Sequence, residues 1–163
     1  MSNIPNRYLT AAVCIKGHVA SEGIELGPPE GKFCSSCGAA VISNCPTCKA
    51  PIRGYYHVAG ILSTAPYHPP AHCADCGAAF PWTAEKLAAA KDLADELENL
   101  SADDRAKLKS AIDDIAGGGS RAEVGAARIK RLLGKAGTAV GQAIWRISIE
   151  VASEAAKKVL TGG

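Results

Sequence analysis

Several features are missing from this 163-residue chain. It has no run of about 18 uncharged apolar residues, which excludes an ordinary membrane-spanning helix. Its first residues, 1–14, lack a charged start followed by an apolar run, so we expect no secretory signal and a cytoplasmic, reducing location. The H-E-x-x-H, P-loop and G-x-S-x-G motifs are also absent, which disfavours the enzyme classes that depend on them.

Cysteine, proline and histidine are absent from the second half of the chain. Residues 83–163 contain none of them and are rich in Ala, Leu, Lys and Glu, whereas residues 1–82 hold all seven Cys and all four His. This change of composition predicts a boundary near Pro81 and Trp82. We therefore expect a cysteine-rich domain over residues 1–82 and a helical tail over residues 83–163.

Seven cysteines and one histidine form four short-spaced pairs. In a reducing compartment, such pairs are more typical of metal ligands than of disulfides. Two thiolates separated by two residues can point from one tight turn toward one ion, and two such turns complete the tetrahedron of a closed structural zinc site. Eight ligands fill two sites with none left over, so we expect two structural Zn²⁺ ions. The predicted ligands are Cys14, His18, Cys34, Cys37, Cys45, Cys48, Cys73 and Cys76.

The spacing alone leaves open which pairs share an ion. The segments CSSCGAA (34–40) and CADCGAA (73–79) form a near-repeat, and each copy follows a pair that lacks the trailing glycine. This repeat favours a tandem arrangement, in which the first two pairs form one site and the last two pairs form the other. A cross-braced arrangement, first pair with third and second with fourth, is the alternative. We also expect Gly38 and Gly77 to take positive φ, because each directly follows the second cysteine of its pair.

The predicted fold is a small zinc-stabilised β-hairpin domain, a double zinc ribbon, followed by an α-helical C-terminal region. Residues 1–82 are rich in Gly and Pro and bury too little apolar surface to fold without metal. Two complete four-ligand sets leave no open coordination position, so we expect no catalysis. A site built from the remaining histidines, His57, His68 and His72, is the weaker enzymatic alternative.

Apolar periodicity predicts about four helices, near residues 84–99, 101–116, 120–134 and 138–160. Thr83, Ser101 and Ser120 are the candidate N-caps of the first three helices. The last helix has an unusually wide apolar face, which favours core packing. Self-association and contact with a membrane surface are the alternatives for this face.

The formal charge of +2 is unevenly distributed along the chain. Seven thiolates and two zinc dications change this total to −1, so the chain lacks the broad positive field of a strong nucleic-acid binder. No aromatic residue interleaves the C-terminal basic cluster, and we expect an aromatic–basic surface in neither half. We expect the cluster to be solvated or to meet the acidic segment 85–116. The basic cluster consists of Arg121, Arg128, Lys130, Arg131 and Lys135.

The cysteine-rich segment resembles known bacterial proteins. Residues 33–54, FCSSCGAAVISNCPTCKAPIRG, together with CIKGH before and CADCGAAFPWT after, resemble bacterial zinc ribbons. The whole chain resembles a family of uncharacterised bacterial proteins with a double zinc ribbon and a helical tail. The resemblance implies zinc binding at the eight ligands and little about cellular role. RING domains also bind two zinc ions, but their histidine normally lies in the middle of the ligand series, whereas His18 belongs to the first pair.

These observations favour a non-catalytic adaptor, whose zinc ribbons present loops to a protein partner while its helices dock or self-associate. The alternative is a nucleic-acid-binding zinc ribbon protein with a basic helix that contacts phosphates. The near-neutral charge after zinc binding favours the adaptor.

Overall fold

The structure, a computed structural model, describes residues 4–61 and 65–162, apart from the side chains of residues 135, 136 and 154. The chain divides into two compact units, Met1–Ala84 and Glu85–Gly163. Each unit contains its own cluster of buried apolar side chains. No described helix is long and apolar enough to cross a membrane.

Short strands dominate the first unit and form two sheets. A two-stranded antiparallel sheet pairs the first strand with the last, and a three-stranded antiparallel sheet has the order β3-β2-β4. The fold predicted for the N-terminal half, small hairpin sheets that carry two cysteine clusters, is confirmed. The strands are β1 (Arg7–Thr10), β2 (Ala12–Cys14), β3 (Val19–Ser21), β4 (Val41–Ile42) and β5 (Arg53–His57).

The core of the first unit is small and includes two of the predicted ligands. Cys45 and Cys73 are buried in one cluster with apolar residues that include Phe80 and Trp82. The rings of Phe80 and Trp82 stack with their centroids 4.7 Å apart, and the Trp82 indole N–H donates to the Pro70 carbonyl oxygen at 3.0 Å. Because Cys45 and Cys73 pack in this core, an interaction that holds these two cysteines in place also stabilises the core.

A helical region follows, as the periodicity predicted, but it contains five helices rather than about four, and the boundaries differ from the expectation. They are α1 (Pro81–Asp95), α2 (Ala102–Gly117), α3 (Gly119–Ala136), α4 (Ala139–Val151) and α5 (Glu154–Thr161). Thr83 does not cap α1, because its own N–H donates to the Phe80 carbonyl oxygen inside the first turn. Pro81 occupies the first helical position, where a missing N–H costs nothing.

The caps of the next two helices show one correct and one wrong prediction. Ser101 caps α2 as predicted, because its Oγ accepts from the Asp104 N–H at 3.1 Å. Ser120 does not cap α3, which begins at Gly119 and has no side-chain cap. Gly118 and Gly119 both take φ of +72°, a reversal that glycine adopts without strain and that starts α3 before the serine.

The helix predicted over 138–160 is two helices, with a break at Ala152 and Ser153. Ala152 is extended, and the Ser153 N–H donates to the Ile115 carbonyl oxygen of α2 at 2.9 Å rather than continuing the helix. Ser153 Oγ then accepts from the Ala156 N–H at 3.4 Å, which caps α5. The break lets Ala156 and Leu160 of α5 enter the same core as Ile144 of α4.

Candidate metal centres

The three Cys-x2-Cys turns have one local structure. In each turn, the N–H of the first cysteine donates at 2.8 Å to the carbonyl oxygen five residues later. The N–H four residues after the first cysteine donates back to that cysteine's carbonyl oxygen at 2.8–2.9 Å. Isolated bridges close the turns, between Phe33 and Ala40, Asn44 and Pro51, and His72 and Ala79.

This turn requires a left-handed residue four positions after its first cysteine. Gly38 and Gly77 occupy the position with φ of +70° and +75°, as predicted. Lys49 occupies it in the turn that begins at Cys45, with φ of +65°, and is the only non-glycine residue with positive φ in the described part of the chain. Its Nζ donates to the Pro46 carbonyl oxygen at 2.8 Å, a contact that partly offsets the strain.

The first pair lies in a different setting, the hairpin between β2 and β3. The Cys14 N–H donates to the His18 carbonyl oxygen at 2.9 Å, and Gly17 between them has φ of +93°. A Cβ on residue 17 would lie 3.1 Å from Trp82 Cβ. Gly17 therefore serves both the turn of the hairpin and its close approach to the buried indole.

The structure brings the predicted ligands together in the tandem arrangement. Cys14, His18, Cys34 and Cys37 form the first cluster, in which all four potential ligand atoms lie within 4.8 Å of one another. Cys14 Sγ and Cys37 Sγ are 3.8 Å apart. His18 Nδ1 lies 3.5 Å from Cys14 Sγ, 3.6 Å from Cys34 Sγ and 3.3 Å from Cys37 Sγ, so this ring nitrogen faces the three sulfurs.

The second cluster contains Cys45, Cys48, Cys73 and Cys76 within the same 4.8 Å limit. The Sγ atoms are 3.8 Å apart for Cys45 and Cys76, and 3.6 Å apart for Cys48 and Cys73. The cross-braced alternative, which would mix ligands between these two clusters, is therefore wrong.

These distances match the edges of a zinc tetrahedron. Zinc–sulfur bonds of about 2.3 Å place two sulfurs about 3.8 Å apart, and zinc–nitrogen bonds of about 2.0 Å place nitrogen and sulfur about 3.5 Å apart. The sulfur pairs measure 3.6–3.8 Å and the nitrogen–sulfur pairs 3.3–3.6 Å. Each cluster therefore offers four donors of the size and chemistry that a tetrahedral metal ion requires.

Burial alternates along the ligand series. The first residue of every pair is buried and the second is exposed, in both clusters. An ion held there would lie at the rim of the core, with two donors from the interior and two from the surface. The buried ligands are Cys14, Cys34, Cys45 and Cys73, and the exposed ones are His18, Cys37, Cys48 and Cys76.

Backbone N–H groups favour ionisation of the first thiol in two of the turns. The Ser36 N–H lowers the pKa of Cys34 to about 6, and the Cys48 N–H lowers the pKa of Cys45 to about 6. Hydrogen bonds from N–H groups stabilise a thiolate in the same way when it is bound to a metal ion.

In the same two turns, the pKa of the second thiol is raised rather than lowered. The Ala50 N–H lowers the pKa of Cys48, but desolvation and the neighbouring thiols of Cys76 and Cys73 together raise it to about 12. The pKa of Cys37 is raised for the same reasons, against the effect of the Ala39 N–H. Thiolates this close repel one another, and a divalent cation among them removes the repulsion.

The remaining histidines belong to neither cluster. His57 lies in β5 opposite Arg7, and His72 occupies the bridge position that Phe33 occupies in the earlier turn. Within residues 4–61 and 65–162, no third group of three or more His, Cys, Asp or Glu side chains could hold an ion. His68 lies exposed in the proline-rich loop.

An aromatic–basic surface lies on the β1–β5 sheet, contrary to the expectation from sequence. The exposed rings of Tyr8 and Tyr56 meet edge to face with centroids 4.9 Å apart, and the Arg53 guanidinium carbon lies 4.6 Å from the Tyr8 ring centroid. Arg7-Tyr8 and Arg53-Gly-Tyr-Tyr56 place basic and aromatic residues together in the sequence, but only the pairing of β1 with β5 joins the two segments in one surface.

One residue of the basic cluster meets the acidic segment, in line with the sequence analysis. Arg121 contacts Asp114 of α2, with Nη2 and Oδ2 3.0 Å apart. The side chain of Lys135, the last residue of this cluster, lies outside the described residues.

Together these features define a class of protein: small hairpin sheets that carry two four-donor Cys/His clusters, followed by a helical region. A family model described as "Uncharacterized protein conserved in bacteria (DUF2321)" matches residues 7–160, and the chain belongs to this family. No curated protein and no solved structure matches the chain.

Proposed function

We propose that this protein is a non-catalytic zinc-binding adaptor, whose first unit is held in shape by two structural zinc ions. The observation that carries the proposal is the pair of four-donor clusters, in which the donor atoms lie within 4.8 Å of one another and six donor pairs are 3.3–3.8 Å apart. Thiolate and imidazole donors in a tetrahedral set are the ligands that structural zinc prefers. The N–H groups aimed at Cys34 and Cys45 support metal-bound thiolates.

A structural role fits the four-donor sets better than a catalytic one. Catalytic zinc usually has three protein ligands and an open position for water or substrate. Each cluster here supplies four protein donors, and its buried cysteines belong to the walls of the core. We infer that the metal replaces missing apolar burial, at ~10–16 kcal/mol of apparent binding free energy per ion.

The adaptor would use its two units separately. The Cys-x2-Cys turns and the sheet faces of the first unit present side chains to a partner, and the helical unit docks on a protein or self-associates. The alternative, a nucleic-acid-binding zinc ribbon, now has a specific observation in its favour: the exposed Tyr8, Tyr56 and Arg53 surface. The basic cluster of the helical unit supports nucleic-acid binding less strongly, because its Arg121 is paired with Asp114.

The metal and its role can be tested in the same protein. Native mass spectrometry of the reduced full chain should give two zinc ions per copy and report the oligomeric state. The two tryptophans supply separate reporters, because Trp82 lies in the core of the first unit and Trp145 packs against the helical core. In Trp145→Phe, zinc chelation should shift Trp82 emission to that of an exposed indole. In Trp82→Phe, Trp145 emission should change little.

Two results would contradict the proposal. A reduced, folded protein that binds no zinc would remove its basis. A chelated protein in which Trp82 emission and amide exchange of residues 7–80 are unchanged would show that the ions are not structural. Cys37→Ser should lose one zinc ion and retain the other, because Cys37 belongs to the first cluster alone.

A further inference from the structure

The β1–β5 sheet carries a compact aromatic–basic surface, which we call the tyrosine platform: Tyr8, Tyr56 and Arg53. Tyr8 and Tyr56 are directly opposite in the antiparallel register, and their side chains are 52% and 47% exposed. Two aromatic rings side by side in solvent form a contiguous exposed patch, a feature that is typical of surfaces that bind a partner.

A β-bulge places Arg53 on this platform. Tyr8 pairs with Tyr56, but Thr10 pairs with Arg53, so β5 holds one extra residue in this stretch. Residues three apart on a regular strand point to opposite faces, and the extra residue brings Arg53 to the face of Tyr56. Gly54 permits the bulge, because a Cβ there would lie 2.9 Å from the Leu9 carbonyl oxygen.

The charges around the platform favour an anionic partner. Arg53 is exposed, and within the described residues its guanidinium makes no ion pair. Arg7 precedes Tyr8 in β1, where alternation turns its side chain to the other face; it contacts the Glu25 carboxylate at 3.6 Å and is 51% exposed. Glu25 is itself bound by the Thr10 N–H and hydroxyl, so it lies at the edge of β1 rather than on the rings.

The guanidinium stacked on Tyr8 favours a planar aromatic partner over a proline-rich peptide. Peptides of that kind dock in grooves lined by aromatic side chains. Here the rings meet at 69°, and Arg53 covers one side of Tyr8. A guanidinium stacked on a ring offers a flat cationic surface, and exposed tyrosines offer π-faces, which is how single-stranded nucleic acids are held.

The geometry points to the tyrosine platform as a binding site for single-stranded nucleic acid, in which unpaired bases stack on Tyr8 and Tyr56 while Arg53 contacts an adjacent phosphate. This inference rests on the proposed function, because the zinc-held first unit must be folded to form the sheet. It gives the adaptor a nucleic-acid partner on this face and leaves the helical unit for docking or self-association.

The test measures binding of fluorescein-labelled 12-nucleotide oligothymidylate and oligouridylate to the zinc-loaded full chain by fluorescence anisotropy. Tyr8→Ala and Tyr56→Ala should each weaken binding between about fivefold and about 150-fold, the effect of losing one stacked base. Phe33→Ala is the matched control, because Phe33 is an aromatic residue of the first unit that is 68% exposed and lies outside the platform. It should leave binding unchanged.

Salt dependence separates stacking from general attraction to phosphate. With Arg53 as the available cation, and Arg7 engaged by Glu25, log K should fall with log salt at a slope of roughly −0.7. Arg53→Gln should reduce this slope, whereas Lys130→Gln with Arg131→Gln in the helical unit should not. Duplex DNA of the same length should bind more weakly, since its bases cannot unstack onto the rings.

Three outcomes would overturn the inference while native mass spectrometry still shows two bound zinc ions. The first is no binding of either oligonucleotide at 0.1 mM protein and low salt. The second is binding that survives both tyrosine substitutions but is lost in the Lys130 and Arg131 variant. The third is capture of a proline-rich peptide, lost in Tyr8→Ala, by a protein that binds no oligonucleotide. Loss of zinc itself would instead contradict the proposed function.

Discussion

Gly125 of α3 crosses Ala111 of α2 so closely that a Cβ on residue 125 would lie 2.8 Å from the Ala111 carbonyl oxygen. The same Cβ would lie 2.9 Å from Asp114 Cβ. Glycine therefore sets the distance between two helices that share the buried core of the second unit. Its presence in a helix interior, where it weakens helix formation, is explained by this contact.

Gly125→Ala should destabilise the second unit by about 1–3 kcal/mol, because backbone must move to admit the methyl group. Gly134→Ala is the matched control in the same helix, since a Cβ there meets nothing within 4 Å. That substitution should stabilise the unit by up to about 1 kcal/mol through helix propensity. Urea unfolding followed at Trp145 in the Trp82→Phe background measures both, and equal effects of the two substitutions would contradict the close approach.

Lys49→Gly should stabilise the zinc-loaded first unit by about 1 kcal/mol. The left-handed conformation costs a residue with a side chain roughly 1–2 kcal/mol. The exposed hydrogen bond from Lys49 to the Pro46 carbonyl oxygen offsets only part of this cost. Gly38→Ala puts a side chain on a residue in the same left-handed conformation. A Cβ there meets nothing within 4 Å, so the conformation alone should destabilise the unit, by a similar amount. Denaturation at fixed free zinc, followed at Trp82, compares the two. A destabilised Lys49→Gly would show that the lysine contributes more than its conformation costs.

Ser148→Ala should stabilise the second unit by about 1 kcal/mol. Ser148 is fully buried in α4, and its Oγ has no hydrogen-bond partner among the residues that the structure describes, so no hydrogen bond offsets the desolvation cost of the hydroxyl. Ser101→Ala serves as the contrasting variant, because Ser101 caps α2 and its loss should destabilise by about 1 kcal/mol. Thermal unfolding in the Trp82→Phe background reports both, and a lowered melting temperature for Ser148→Ala would contradict the assignment.

The pKa of Tyr67 should lie well above the usual value of a tyrosine. Burial, assisted by the negative charge of Glu22, raises its pKa from 10.0 to about 12. Its hydroxyl donates to the Arg53 carbonyl oxygen at 2.7 Å, a bond that needs the neutral phenol. Since the folded pKa lies above the unfolded value, this contribution to stability is complete below pH 10 and is lost as pH rises through about 12.

Tyrosinate absorbance near 295 nm should therefore show a late step close to pH 12 that disappears in Tyr67→Phe. Tyr56→Phe removes an exposed tyrosine and should leave that step in place. A titration in which Tyr67→Phe and Tyr56→Phe remove the same step would show that Tyr67 is not shielded. Zinc stoichiometry measured across the same pH range shows whether the first unit is still folded.

Much of the candidate metal chemistry was predictable from the sequence because its signals are local. A Cys-x2-Cys turn closes within six residues, so its ligands and its left-handed position can be read from neighbouring letters, as for Gly38 and Gly77. The left-handed conformation of Lys49 was not predicted, because no glycine marks that position in the turn that begins at Cys45. The existence of the helices followed in the same way from apolar periodicity and from the Ser101 cap.

Features that depend on distant contacts were not predictable. The Ser153 N–H leaves the helix to meet the Ile115 carbonyl oxygen of another helix, and no local pattern encodes that partner. The tyrosine platform exists only because β1 and β5 pair in one register and a bulge turns Arg53 to the same face.

The sequence by itself determined which eight side chains are candidate metal ligands and which segments form helices, since both signals lie within a few neighbouring residues. Only the tertiary structure decided which ligand pairs form each site, where the last predicted helix breaks and which exposed aromatic rings are in contact. Those outcomes follow from packing and strand register, which bring distant residues into contact and leave no mark on the local sequence.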